Sequence, residues 1–106
     1  MTRIAAFAAA LGLLLGCAPS PQQKAQLARR TVQSWTATVE KTTEAVRRGA
    51  APRVFGRQIV TAAMESRKKQ AETPEWGRLS AQERAALDEA IHRLASLLGL
   101  PDPSHS

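Results

Sequence analysis

Tyrosine and asparagine are absent from these 106 residues, histidine occurs twice, tryptophan and phenylalanine twice each, and cysteine once. A single cysteine cannot make an internal disulfide, so any fold must hold by packing alone. Two histidines, His92 and His105, are too few for a closed metal site; Asp88 and His92, four apart, read as an ion pair on one helix face. Glu40 and Glu44 stack one turn apart, but among Lys41, Arg47 and Arg48, and catalytic carboxylates need an enclosing cleft to shift their pKa. No phosphate-cradling glycine loop and no Ser–His–acid arrangement is present. The expectation is a non-enzyme without catalytic residues, metal or cofactor.

Long hydrophobic runs are missing too. The longest, Ile4 to Leu15, has twelve apolar or small residues, where a bilayer-spanning helix needs about twenty. Preceded by Arg3, it has the length of the apolar core of a secretory signal peptide. Leu14-Leu15-Gly16-Cys17 follows at once. This stretch resembles the lipobox of bacterial lipoproteins, and the resemblance covers only the first eighteen or so residues. It implies cleavage before Cys17, acylation of that cysteine (palmitate among the chains) and a cell-envelope location. Ala18, rather than Asp, after the cysteine implies the outer membrane, facing the periplasm, in a two-membrane cell. Two or three acyl chains anchor stably where one binds marginally.

Removing residues 1–16 leaves 90 residues, enough for one domain. Ser20-Pro21-Gln22-Gln23 is a Ser-x-x-Gln capping box with proline at the first helical position. It predicts a helix over 21–48, ended by Gly49. Ala25, Ala28, Val32, Trp35, Val39, Thr42 and Val46 alternate in steps of three and four, a narrow heptad-like seam. A second helix is predicted over 53–72, with Phe55, Ile59 and Ala62 on its buried face and Val60, Ala63 and Met64 widening it. Gly56 either permits close packing on the first helix or weakens these turns; packing is the preferred reading. Ser80-Ala81-Gln82-Glu83 is a second capping box, opening a helix over 81–98. Leu87, Ile91, Leu94 and Leu98 line one side, and Glu89–Arg93 is a favourable pair four apart. Gly99, Leu100 and Pro101 close it, and residues 101–106 have nothing to bury and form a mobile tail.

None of these stripes can be hidden alone, so the expected fold is all-α, a small three-helix bundle over residues 20–100. The alternative is an extended hairpin of the first two helices that self-associates, giving a homo-oligomer. Trp35 belongs to the seam. Trp76, in the Thr73–Leu79 connection, either plugs one end of the bundle or anchors at a headgroup interface or partner.

Basic residues exceed acidic ones by fifteen to nine, and without Arg3 by fourteen to nine, a formal +5. Export argues against nucleic acid as the partner, and no aromatic–basic interleaving supports it. The available polyanions are then anionic lipid and acidic envelope proteins. Only Ala18 and Pro19 separate Cys17 from Ser20, so three Cα steps limit the tether to about 11 Å. Lys24, Arg29 and Arg30 would lie close to the headgroups; Arg47 and Arg48 form a further cluster, joined by Arg53 and Arg57. The competing reading of every cluster is a solvated face that keeps the domain soluble. Two functions remain open: a small helical interaction or structural module at the membrane, or a membrane-active, lysis-type lipoprotein.

Overall fold

Residues 20–101 are described by the computed structural model, and three α-helices account for most of them: α1 (Pro21–Arg47), α2 (Arg53–Ala71) and α3 (Ala81–Leu97). A short 3-10 helix, Pro74–Arg78, sits in the connection between α2 and α3. The described residues form a three-helix bundle with no strand. Cys17, the apolar run before it and tail residues 102–106 lie outside the described residues.

Local chemistry starts and stops the helices where the backbone needs it. Ser20 accepts a hydrogen bond from the Gln23 N–H while Gln23 Oε1 accepts one from the Ser20 N–H, so two otherwise orphaned donors are satisfied reciprocally. Ser80 and Glu83 repeat the arrangement at the start of α3. Pro52, the N-cap of α2, provides no side-chain acceptor. At the other ends, Gly49 and Gly99 take φ of 74° and 71°, the left-handed region open to glycine at little cost. The reversal lets the Ala50 N–H reach the Ala45 carbonyl and the Leu100 N–H reach Ala95. Leu100 thereby folds back against the core.

The core is built from one stripe of each helix. Val32, Val39 and Val46 of α1, Val60 and Ala63 of α2, and Leu87, Ala90, Ile91, Leu94 and Leu98 of α3 form one cluster, joined by Leu79. Thr42 is buried among them, its hydroxyl donating to the Thr38 carbonyl at 2.8 Å, which removes the cost of hiding a polar group. α1 makes its most extensive contact with α3. The third helix therefore docks on its own chain, and the extended-hairpin arrangement does not hold.

Three expectations need correction. Phe55 does not enter the core: it is 42% exposed, and the buried line of α2 is Gly56, Val60 and Ala63, with Ile59 and Met64 flanking it. The cause is close approach at Gly56. A Cβ there would stand 3.1 Å from Leu98 Cδ1 and 3.3 Å from Val46 Cγ2. The glycine thus faces both neighbouring helices and turns Phe55 outward, about 100° round the helix. Ala25 and Trp35 are only half-buried, so the α1 seam is narrower at these positions than its spacing suggests. Arg48, Glu72 and Leu98 are C-caps, each one residue past the last helical residue; Gly49 and Gly99 reverse the chain after the first and third, and extended Thr73 ends the second.

Candidate functional site

Charge placement on the bundle surface decides which cations are available to a partner. Of the five basic residues Lys24, Arg29, Arg30, Arg47 and Arg48, three are paired with carboxylates within the molecule. Arg29 Nε lies 3.2 Å from Glu83 Oε2, linking α1 to the first turn of α3. Glu44 receives Arg47 and, at 3.8 Å, Arg48, three and four residues on along α1. Lys24 and Arg30 are exposed, and no carboxylate pairs with either among the described residues. The five residues do not form one patch. Lys24, Arg29 and Arg30 belong to the N-terminal third of α1, Arg47 and Arg48 to its end and C-cap, and the two groups stand about 26–36 Å apart along the helix.

Glu83 was legible as a capping residue but not as an interhelix ion-pair partner. Its Oε2 is shielded from solvent and accepts no hydrogen bond of good geometry. Arg29 meets it at ion-pair distance but off the donor axis. Burial raises the Glu83 carboxyl, but hydrogen bonds from the Ser80 backbone and hydroxyl, together with the Arg29 charge, outweigh this. The group is held below its ordinary value of 4.5. It remains ionised at neutral pH, so capping and ion pairing act together.

The opposite seam carries a second brace. Arg67 of α2 grips Asp88 of α3 with both ends of its guanidinium; Nη2 donates to Oδ2 at 3.2 Å, and Nε meets Oδ1. The same guanidinium lies 5.6 Å from the centre of the Trp76 ring, within cation–π range. Arg84 Nη1 donates to the Trp76 carbonyl at 3.0 Å. Trp76 packs against the core cluster, the placement expected of a plug at that end of the bundle. Asp88, read from the sequence as a partner for His92, thus also serves α2. Arg67 stands in the run Arg67-Lys68-Lys69, and only the interhelix contact reveals its structural role. Glu89 pairs with Arg93 at 3.1 Å as expected.

Chemistry beyond charge is sparse. Glu40 lines an open groove of about 330 Å³ between α1 and α3, with Val32, Thr36 and Ala37 on one side and Gln82, Glu83 and Ala86 on the other. The groove holds two carboxylates, one of them already engaged by Ser80 and Arg29, and no nucleophile–base pair. Among the described residues no three His, Cys, Asp or Glu side chains converge on a point that could hold a metal ion. No helix among them is long and apolar enough to cross a membrane. No protein-family model matches the chain, and no curated protein and no solved structure is significantly similar to it.

Proposed function

We propose that this chain is a membrane-anchored bacterial lipoprotein whose helical bundle acts as a small interaction or structural module at the cell envelope. The observation that carries the reading is Leu14-Leu15-Gly16-Cys17 at the end of a twelve-residue apolar run. The described fold supports it from the other side. The Ser20 capping box starts α1 three residues after Cys17, so the bundle is self-contained beyond a short tether. Acylated Cys17 gives the membrane attachment, in the outer membrane facing the periplasm where the cell has two. The short tether keeps Lys24 within about 17 Å, roughly two Debye lengths, of the headgroups, and Arg30 joins it when α1 tilts toward the surface; a cation near the surface contributes up to about 1 kcal/mol. Lipid chains hold the protein, and the cations orient it. The mode of action is association with an anionic lipid surface or an envelope protein rather than catalysis.

In-cell crosslinking followed by mass spectrometry tests the association directly. The expected result is a reproducible set of envelope partners for the wild type, reduced when Arg29, Arg30, Arg47 and Arg48 are neutralised together. Because Arg29 also braces α3, a companion variant that changes only Lys24 and Arg30 to glutamine separates surface charge from stability. If no partner is captured from a well-folded chain, the interaction reading is abandoned. The competing membrane-active reading predicts leakage of vesicle contents on adding purified protein. A cooperatively packed bundle with its apolar stripes turned inward predicts none.

A further inference from the structure

The α1–α2 corner sets two large exposed apolar side chains next to each other amid a surplus of cations. Val54 and Phe55 stand in the first turn of α2 and are 58% and 42% exposed. Val54 also edges a shallow depression on the outer side of α2 with Arg57, Gln58, Thr61, Ala62 and Glu65. Arg47 and Arg48 close α1 just before the turn, and Arg53 and Arg57 flank the apolar pair within α2. Glu44 is the acid nearest Arg47, Arg48 and Arg53 in the chain, and it is occupied by Arg47 and Arg48; Glu65, two turns on from Arg57, shares the depression with it. Arg53 donates to the Leu97 carbonyl at 3.3 Å, which leaves its charge uncompensated. Arg57 has no carboxylate partner among the described residues, and the first turn of α2 contains no acidic residue.

We infer that this corner is a second membrane contact, in which Val54 and Phe55 enter the interfacial region of an anionic bilayer while Arg53 and Arg57 meet phosphate groups. Two features of the corner select this occupant. The apolar pair projects from the start of a helix, Val54 at the rim of a shallow, open depression and Phe55 outside it, a shape suited to a deformable surface. Its surroundings carry four arginines against two glutamates, Glu44, already engaged by Arg47 and Arg48, and Glu65 at the edge of the depression, a basic surplus that complements anionic headgroups and opposes a second copy of the same corner. Residues 102–106, Asp-Pro-Ser-His-Ser, bring no large apolar side chain to cover Phe55.

The inference rests on the lipoprotein reading for the bilayer's proximity. It adds an orientation. The corner lies at the far end of α1 from Ser20, about 40 Å along the helix, so contact at both ends lays α1 along the membrane rather than upright.

The test uses the full chain carrying Cys17→Ser and Val54→Cys, whose only thiol takes an environment-sensitive fluorophore. It is reconstituted into vesicles of phosphatidylcholine alone or of equal parts phosphatidylcholine and phosphatidylglycerol. Cys17→Ser cannot be acylated and the chain is exposed to excess lipid, so the readout is independent of lipidation at Cys17. A label at Ala85→Cys, exposed on α3, is the control, and circular dichroism confirms the fold of each chain. The expected result is blue-shifted emission and protection from iodide at position 54 in anionic vesicles only, with position 85 accessible throughout. Arg53→Gln and Arg57→Gln should each lower the docked-to-free ratio by about fivefold, and Phe55→Ser should abolish the shift.

A label at 54 that stays accessible in anionic vesicles overturns the inference, as does equal protection in neutral ones. Protection that grows with protein concentration in detergent, without vesicles, assigns the corner to a second copy and overturns it too. Protection in envelope extract but not in vesicles assigns it to an acidic protein, with the same consequence. Failure of fatty-acid labelling at Cys17 is a separate outcome, which removes the anchor without bearing on the fluorescence.

Discussion

Leu94→Ala should destabilise the bundle by about 2–5 kcal/mol, the range for deleting a buried leucine side chain. Leu94 has no solvent exposure and sits in the cluster to which all three helices contribute. Its loss leaves a cavity that no single helix can close without opening another seam. A domain of this size has roughly 4–12 kcal/mol of total stability, and no disulfide supplements it. The variant should therefore lose a large fraction of its cooperative transition. Each kcal/mol lowers Tm by about 4–8 °C at this length. Leu27→Ala is the matched control, because Leu27 is 56% exposed and should change stability by less than about 0.5 kcal/mol. Thermal melts of residues 18–106 followed by circular dichroism check both. A loss at Leu94 below about 0.5 kcal/mol would mean that α3 does not pack where the structure places it.

Gly56→Leu should cost about 1–3 kcal/mol or more through overpacking. Helix propensity alone argues the other way, since leucine is favoured over glycine in a helix by close to 1 kcal/mol. The geometry decides the sign. Even a single Cβ meets Leu98 at 3.1 Å and Val46 at 3.3 Å, so a full leucine side chain has to wedge α2 away from both α1 and α3. Gly56→Ala is the informative intermediate. The Leu98 side chain can yield by a few tenths of an ångström, and the propensity gain offsets that strain to within about 1 kcal/mol. Chemical denaturation of the two variants should therefore separate them clearly, with leucine the less stable. A leucine variant more stable than wild type would contradict close packing at this crossing.

Much of the bundle was legible in the sequence because its signals are local. Ser20 with Gln23, and Ser80 with Glu83, close hydrogen-bonded boxes within four residues. Gly49 and Gly99 announce backbone reversals that only a left-handed residue makes cheaply. The spacing of Leu87, Ile91, Leu94 and Leu98 presents one face whatever it packs against, and all four are buried. The second helix was read one position out of register because glycine contributes nothing to an apolar pattern. Phe55 looked like the buried anchor, yet Gly56 sets the rotation through a contact that exists only once three helices meet. Leu79 was missed because one apolar residue in a connection has no periodicity to display.

The interhelix ion pairs were hidden for a related reason. Arg29 meets Glu83 and Arg67 meets Asp88 across helix boundaries, and nothing in local spacing distinguishes these arginines from Arg30 or Lys68. The consequence reaches the functional reading. Arg29, Arg47 and Arg48 share their charge with Glu83 and Glu44, whereas the uncompensated cations at the α1–α2 corner are Arg53 and Arg57, beside Phe55, which the sequence had assigned to the core.

The central claim is attachment through Cys17, and metabolic labelling with a radioactive or clickable fatty acid tests it most directly. The account predicts label in the wild-type protein, recovered with the membrane fraction, and none in Cys17→Ser expressed to the same level. Equal labelling of both proteins, or of neither, would contradict it.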